Sequence, residues 1–356
     1  TRYLSAISLD AEAYDTESRL IAEAVVAVFG KGSAPRAARL PPRQVPFHFQ
    51  SYLVMEPVGS GGFGTVYLAY DHQLDRSVAV KILHPAITRR DRERVLHEAR
   101  SAAQLRHPSI VAIQRIAEHN GELAVIYDYI DGITLGDWLE IRQFSVCEAA
   151  ELIAQLADAL DYAHRRGVVH RDIKPSNILL DIAQHESDDT ENESDQPETL
   201  PCPMLMDFGV ARRLSVPEPR SDGDVVGTRR YMSPEQAAGQ SSSADARSDI
   251  YSLGVVFHEL LCGELPPPAA AVATTRHLGA PVEPSHGLGI KLSRDVRAIC
   301  LKAIQPDPAN RFQTASEMAA DLRRWLRGEP VLVRPLGKLQ RLLRWSKRNP
   351  WLAGAS

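Results

Sequence analysis

The chain has 356 residues, enough for two lobes or domains with buried cores, and is 44% hydrophobic and 24% charged, as is typical of an ordinary globular protein. A net charge of −4 gives no general attraction to nucleic acid, so we expect no nucleic-acid partner. The four cysteines are scattered without metal-ligand spacing, which indicates reduced thiols in a cytosolic compartment.

Residues 1–49 are predicted to form a helical preamble followed by a proline-rich linker. Apolar residues recur at helical spacing from Leu20 to Phe29, and the glycines at positions 30 and 32 would end the helix. We interpret this segment as an amphipathic helix that packs on another surface, because its residue types indicate no chemistry.

A glycine-rich loop lies between two predicted strands. Its sequence is Val58-Gly59-Ser60-Gly61-Gly62-Phe63-Gly64-Thr65-Val66-Tyr67. A G-x-G-x-x-G pattern alone is weak, because dinucleotide-binding folds also use one, but there the loop leads into a helix. Here it leads into β-branched and aromatic residues typical of a strand. Glycines at such a bend let backbone amides approach phosphate oxygens.

Lys81 lies inside an apolar predicted strand, residues 77–83, where a charge is costly unless it has a partner. A strongly helical stretch, residues 89–106, follows and carries Glu98. Lys81 lies 17 residues after Gly64 and 17 before Glu98. A lysine at a strand edge is usually just solvated, but this spacing favours a functional role. Two more strands and a long helix, residues 145–167, come next.

The loop after that helix contains the residue types that phosphoryl transfer requires. Its sequence is His170-Arg171-Asp172-Ile173-Lys174-Pro175-Ser176-Asn177. Phosphoryl transfer needs two oxygens held in line and the phosphate charge neutralised. The octapeptide resembles the catalytic loop of eukaryotic-type protein kinases, and the resemblance implies that Asp172 accepts the proton of a substrate hydroxyl, Asn177 holds a metal ion and Lys174 steadies the γ-phosphate. Alone, such an octapeptide could also be a polar surface loop.

Residues 184–200 carry seven acidic residues and no lysine or arginine. Such a run cannot bury enough apolar surface to become ordered, so a solvated loop is favoured over a metal site. The flanking hairpin should tolerate it, because loop-closure entropy rises slowly with length.

The sequence Met204-Leu205-Met206-Asp207-Phe208-Gly209 follows and offers a carboxylate, which is a hard oxygen donor for a hard cation. A polar segment, residues 210–231, leads to Ser233-Pro234-Glu235. Two amphipathic helices are predicted near 294–304 and 314–327.

Together, these motifs resemble the bacterial Hanks-type (eukaryotic-type) serine/threonine protein kinases over about residues 50–327. The C-terminal tail looks most like those of planctomycete-type membrane-anchored kinases. The resemblance implies an α+β, bilobal protein kinase fold over residues 50–328, with a small β-rich N-lobe at about 50–130 and a larger helical C-lobe at about 131–328. Residues 184–200 would be an insertion, and 329–356 a basic juxtamembrane-like tail.

The resemblance also implies roles for individual residues. Asp172, Lys174 and Asn177 would be catalytic, and Asn177 and Asp207 would bind Mg²⁺, with Mn²⁺ as an alternative. Lys81 would hold the α- and β-phosphates of ATP and pair with Glu98. The implied ATP-binding residues are Val58, Gly59, Ser60, Gly61, Gly62, Phe63, Gly64, Val66, Ala79, Lys81, Glu98, Tyr127, Asp128, Tyr129, Ile130 and Leu179.

Further expectations concern residues around this site. Tyr127 falls at the gatekeeper position and would narrow the pocket behind the adenine, and Phe208 would pack under the helix that carries Glu98. Asp249 would brace the catalytic loop backbone, and Arg311 would pair with Glu235.

The implied function is an autophosphorylating serine/threonine protein kinase in signalling. Its partners would be ATP, protein substrates and a second copy in a transient homodimer. Ser221 is favoured as the autophosphorylation site over Ser215 and Thr228. A pseudokinase scaffold and a small-molecule kinase are the alternatives, but Lys81, Asp172, Asn177 and Asp207 are all present, and Ser233-Pro234-Glu235 is typical of peptide-docking kinases.

The tail from residue 334 to 348 contains six basic residues and no acid, with Trp345 and Trp351 near its end. One interpretation is a helix folded back on the larger lobe. The alternative is a juxtamembrane segment on anionic lipid at the cytoplasmic side, with a transmembrane helix beyond it.

Overall fold

A computed structural model describes residues 45–61, 64–84, 89–182, 201–208, 230–239, 245–267 and 292–334. The predictions for residues 1–44, for the acidic run 184–200 and for the tail 335–356 lie outside these ranges. The same holds for Gly62, Phe63 and the phosphorylation candidates Ser215, Ser221 and Thr228.

The N-terminal part of the described chain is an antiparallel six-stranded sheet with the strand order β1-β2-β3-β4-β6-β5. Its strands are β1 (Phe47–Phe49), β2 (Tyr52–Gly61), β3 (Gly64–Asp71), β4 (Arg76–Leu83), β5 (Ile113–His119) and β6 (Glu122–Asp128). β-Branched residues alternate along β4, so Val78, Val80 and Ile82 are buried on one face while Ala79 and Lys81 lie on the other. This other face carries the lysine toward the second part of the fold.

Helix α1 (Arg89–Ala102) buries Val95 and Ala99 in the main hydrophobic core of the molecule. The larger, C-terminal part contains α2 (Leu135–Ile141), α3 (Val146–His164), α4 (Pro234–Ala237), α5 (Ala246–Cys262), α6 (Arg294–Ala303) and α7 (Ala315–Leu326). A small sheet of β7 (Gly132–Thr134), β8 (Ile178–Asp181) and β9 (Cys202–Leu205) adjoins these helices. The predicted bilobal α+β architecture is therefore confirmed.

Local sequence signals mark the start of both central helices, α3 and α5, and the end of α5. Ser145 and Glu148 form a capping box at the start of α3. Asp245 caps α5, which ends at Gly263 with a left-handed φ of 72° that glycine adopts without a Cβ clash. Because the alanine- and leucine-rich faces of α3 are buried, the helix provides a rigid base for the loop that follows it.

The described fold extends past both predicted edges of the kinase domain. Strand β1 pairs with β2, although its residues were assigned to the preamble. At the other end, Val331 is buried and the backbone amides of Leu332 and Val333 donate to the Asp321 carboxylate at 2.7 and 2.8 Å. Arg334 reaches Asp295 at 3.3 Å, so the first base of the predicted tail lies on the lobe. No helix within the described ranges combines the length and hydrophobicity that a bilayer span requires.

Candidate functional site

The loop between α3 and β8 brings the three predicted catalytic side chains together. Lys174 Nζ lies 3.0 Å from Asp172 Oδ2. Asn177 Nδ2 donates to the same carboxylate oxygen at 2.9 Å and to the Asp172 backbone oxygen at 2.8 Å. A 3₁₀ turn, Pro175–Asn177, supplies the bend that returns Asn177 to Asp172. The arrangement holds the Asp172 carboxylate in one orientation while leaving about a quarter of it exposed.

Asp249, on α5, braces the backbone of this loop, as predicted. Its Oδ2 accepts the backbone N–H of His170 at 2.7 Å, and its Oδ1 accepts that of Arg171 at 2.7 Å. Arg171 has a φ of 68°, a conformation that L-residues rarely adopt, so its N–H needs this fixed acceptor. His164 adds a third contact through Nε2 at 2.8 Å. Burial opposes ionisation of Asp249, but these donors hold its pKa below the usual value.

His170 ties the catalytic loop to the segment that carries Asp207. Its Nε2 lies 2.9 Å from the Met206 backbone oxygen, and its Nδ1 accepts the Asp172 amide at 3.3 Å. Burial lowers the pKa of His170, so the neutral ring with a proton on Nε2 satisfies both contacts. Phe208 packs on the same ring with centroids 4.6 Å apart and is buried in the core that includes Val95 of α1.

Asp207 joins the sheet to this segment, but through different partners from those expected. Lys81 Nζ lies 2.6 Å from Asp207 Oδ2, and the Tyr127 hydroxyl donates to Asp207 Oδ1 at 3.1 Å. Glu98, the predicted partner of Lys81, lies with its Oε1 3.9 Å from Arg171 Nη1. The expected Lys81–Glu98 ion pair is therefore not formed in this structure: Lys81 pairs with Asp207. Lys81 is almost fully buried, and the carboxylate that compensates its charge is Asp207.

The electrostatics of Asp207 follow from these contacts. Burial raises the pKa of its carboxyl group, but Lys81 and the Tyr127 hydroxyl outweigh that effect and hold the pKa below the usual value. Burial, and then the neighbouring Asp207 charge, raise the pKa of Tyr127 well above its usual value. Tyr127 is therefore a protonated hydroxyl that donates, and Asp207 is an ionised carboxylate that accepts.

Asn177 and Asp207 fit the divalent cation that phosphoryl transfer requires. They lie at adjoining ends of the paired strands β8 and β9, where the Met206 amide donates to the Asn177 backbone oxygen at 3.1 Å. Asn177 uses its amide nitrogen on Asp172, so its amide oxygen is the atom that it can offer a cation. No cluster of three or more His, Cys, Asp or Glu side chains suited to a metal occurs among the described residues. An amide and one carboxylate match Mg²⁺, which proteins bind with few ligands and with phosphates.

Gly59 and Gly64 of the glycine-rich loop are glycines for different structural reasons. A Cβ added at Gly59 would meet nothing within 4 Å, which leaves space over the strand for a ligand. At Gly64 a Cβ would clash with the backbone oxygen of Ile82, so this glycine allows β3 to approach β4. Sequence reasoning assigned both to phosphate binding, and the strand contact at Gly64 was missed.

Other predicted ATP-binding residues lie on interior strands of the sheet and in the segment after β6. Val66 pairs with Lys81 across β3 and β4, and Ala79 pairs with Tyr127 across β4 and β6. The backbone N–H of Asp128 donates to Ala112 O at 3.0 Å, so an adenine contact at Asp128 would have to use its carbonyl oxygen. Tyr129 and Ile130 follow β6, while Leu179 lies on β8.

Glu235 and Arg311 form the predicted ion pair in the C-lobe. The two guanidinium nitrogens of the Arg311 fork lie 2.7 and 2.8 Å from the Glu235 oxygens. Nearby, Gln236 Nε2 donates to the backbone oxygen of Arg171 at 3.2 Å, which ties this segment to the catalytic loop. The roles of Gln236 and His164 were missed, because their partners are distant in sequence and no local spacing marks them.

Comparison with known proteins gives consistent matches. The family model described as "Protein kinase domain" matches residues 52–322. Serine/threonine-protein kinase PknB of Mycobacterium tuberculosis is 38% identical over 293 residues, covering 78% of this chain and 43% of that protein. PknJ of Mycobacterium bovis is 38% identical over 277 residues, covering 76% of this chain and 44% of that protein.

The crystal structure of the Mycobacterium tuberculosis PknI kinase domain is similar with a TM-score of 0.56 and 26% identity, covering 78% of this chain and 98% of that one. The chain spans less than half of the length of the curated relatives PknB and PknJ. The match to most of the chain, together with the geometry of the catalytic loop, means that this chain belongs to the protein kinase domain family.

Proposed function

We propose that the chain is a serine/threonine protein kinase that transfers the γ-phosphate of ATP to hydroxyl groups of proteins. The observation that carries this proposal is the cluster of Asp172, Lys174 and Asn177, in which one carboxylate is held by two donors at 2.9 and 3.0 Å. A carboxylate fixed in this way and open to solvent can orient a hydroxyl and accept its proton.

The proposed roles follow from the positions of the side chains. Asp172 orients the substrate hydroxyl, and Lys174 beside it stabilises negative charge on the transferred phosphoryl group. Lys81 binds the α- and β-phosphates after it leaves Asp207. When bound, Mg²⁺ (or Mn²⁺) on Asn177 and Asp207 neutralises the phosphate oxygens. Catalysis in this proposal is positioning and charge stabilisation, without a covalent intermediate on the protein.

Protein rather than small-molecule substrates are favoured by the surface beside the loop. A cavity of about 330 Å³ lies against Pro175 and is also lined by Tyr231 and Glu259. The Glu235–Arg311 pair anchors the segment that forms one side of it. A pseudokinase that only binds nucleotide is the second candidate, but it gives no reason for the oriented Asp172 carboxylate.

Transfer of labelled phosphate from ATP to a Ser/Thr peptide library, with mass-spectrometric mapping of the sites, tests the proposal. We expect Asp172→Asn to lower turnover by about 100-fold or more while ATP binding stays within about twofold, because the group is assigned to the hydroxyl. Glu56→Gln makes the same carboxylate-to-amide change at an exposed position on β2 and should keep wild-type turnover. Equal turnover in Asp172→Asn and wild type would contradict the assignment.

The same experiment addresses autophosphorylation. A transient homodimer predicts that the initial rate of self-phosphorylation rises with the square of the protein concentration, and we propose Ser221 as the principal site. Phosphate confined to other residues, or a rate linear in concentration, would contradict this part of the proposal.

The tail is proposed to hold the kinase at the cytoplasmic side of a membrane through anionic lipid. Its support is the charge pattern: Lys338, Arg341, Arg344, Lys347 and Arg348 follow Arg334 without an acid between them. Arg334 itself contacts Asp295, so the proposed lipid-binding part begins after it.

A further inference from the structure

Two neighbouring strands of the sheet hold the two oxygens of the Asp207 carboxylate. Lys81 of β4 pairs with Val125 across the strands, and Ala79 pairs with Tyr127 of β6. Tyr127 is thus the diagonal neighbour of Lys81 on the same face, because side chains two residues apart share a face. The Lys81 ammonium lies 2.6 Å from Oδ2 and the Tyr127 hydroxyl 3.1 Å from Oδ1.

These two donors differ in what nucleotide binding does to them. Under the proposed function, Lys81 moves to the phosphates and releases Oδ2. Tyr127 is about 6% exposed, packed in the main core and fixed by its strand, so it stays in place. Asp207 also has a φ of 62°, so its own backbone is in a conformation that surrounding contacts must maintain.

We infer that Tyr127 is a positioning residue for the metal-binding carboxylate: its hydroxyl holds Oδ1 so that Oδ2 is presented to the divalent cation. A neutral hydroxyl can do this without repelling a cation, and a carboxylate has about four lone-pair positions, of which this bond uses one. Outer partners of metal ligands commonly fix ligand orientation in this way. The inference rests on the proposed function, which assigns the cation to Asp207.

The test is Tyr127→Phe, which removes the hydroxyl and keeps the ring. Binding of Mn²⁺ in the presence of ADP can be followed from the loss of the free-Mn²⁺ electron paramagnetic resonance signal. We expect the dissociation constant of Mn²⁺ to rise about 10-fold or more, in the range found when outer-shell partners are removed. Metal-free ADP affinity, measured in EDTA, should stay within about twofold, and kcat at saturating metal should change less than the metal concentration for half-maximal rate.

Tyr70→Phe is the matched control, because Tyr70 also donates its hydroxyl to an aspartate, Asp75, on the same sheet but away from Asp207. It should leave Mn²⁺ binding at the wild-type value. Tyr127→Met, which has no hydroxyl and no ring, should repeat the weakened Mn²⁺ binding, and thermal unfolding of each variant reports whether the fold is intact.

The outcomes separate the two levels of the proposal. The positioning role alone would be overturned if wild type binds ADP in a metal-dependent way and the Mn²⁺ dissociation constant of Tyr127→Phe is within twofold of the wild-type value or lower. A wild-type chain without metal-dependent nucleotide binding would overturn the proposed function and this inference with it.

Discussion

The buried ion pair between Arg311 and Glu235 should contribute a measurable share of the stability of the C-lobe. The Arg311 side chain has no exposed surface, and its guanidinium uses all five N–H donors. Two donate to Glu235, and the others go to backbone oxygens of Gln305, Arg247 and Pro306 at 2.7 to 3.0 Å. The planar fork therefore has no equivalent in lysine, which offers three donors from one point.

The free energy that the Arg311–Glu235 pair contributes to stability can be estimated from the pKa of Glu235. Burial opposes its ionisation, but Arg311 and the Ser248 hydroxyl lower its pKa from the ordinary 4.5 to about 2. Since one pKa unit corresponds to about 1.4 kcal/mol, the native contacts stabilise ionised Glu235 by about 3 kcal/mol. Removing one partner of a buried pair is measured at about 3 to 5 kcal/mol, so the two figures agree in order of magnitude.

We expect Arg311→Met to lower the free energy of unfolding by about 3 to 5 kcal/mol, measured by urea denaturation. Combined with Glu235→Gln in a double-mutant cycle, it should give a coupling energy of about 2 to 3 kcal/mol. Arg327→Met is the matched control, because its pair with Glu329 is largely exposed and should contribute at most about 1 kcal/mol. A coupling energy below about 0.5 kcal/mol would refute the reasoning.

The stability contributed by this ion pair should decrease at low pH. Because the pKa of Glu235 is lower in the folded state, its stabilisation is fully present above pH 4.5 and is lost as the pH falls towards 2. Wild-type stability should therefore decline over this window more steeply than that of Arg311→Met, in which Glu235 no longer has its cationic partner.

The remaining two predictions concern the glycine-rich loop and the tail. Gly64→Ala should lower stability by about 1 to 3 kcal/mol in urea denaturation, because its Cβ would meet the Ile82 backbone oxygen, whereas Gly59→Ala, in open space, should change it by less than about 0.5 kcal/mol. Equal losses in the two variants would contradict this strand-packing explanation. Removal of residues 335–351 should abolish sedimentation with anionic vesicles, and the intact chain should bind them less as salt rises. Salt-insensitive binding, or none, would favour a tail helix folded on the lobe.

Local sequence signals predicted the elements of the fold well. Apolar spacing placed the helices at 145–167 and 314–327, and the structure has them at Val146–His164 and Ala315–Leu326. The prediction for the first helix runs three residues past His164, whereas the other three bounds differ by one residue each. After His164 the chain turns through Gly167, whose φ of 74° ends the helical path.

The spacing of motifs predicted which residues meet in the catalytic loop, because Asp172, Lys174 and Asn177 lie within six residues of one another. Contacts between segments that are distant in the sequence were harder to predict. His164 donating to Asp249, and Tyr127 to Asp207, depend on how α3, α5 and β6 are placed in three dimensions. Each side chain has the hydrogen-bonding groups for many partners, and only packing decides among them.

The partner of Lys81 shows why charge pairing in particular escapes the sequence. Glu98 and Asp207 can each compensate a buried ammonium, and Lys81 and Arg171 can each compensate Glu98. In this structure Lys81 forms an ion pair with Asp207, while Arg171 lies near Glu98. If nucleotide phosphates draw Lys81 away, Asp207 loses its cationic partner and keeps the neutral Tyr127 hydroxyl. A largely buried carboxylate without a cation is costly, so nucleotide binding and occupation of Asp207 by a cation should favour one another.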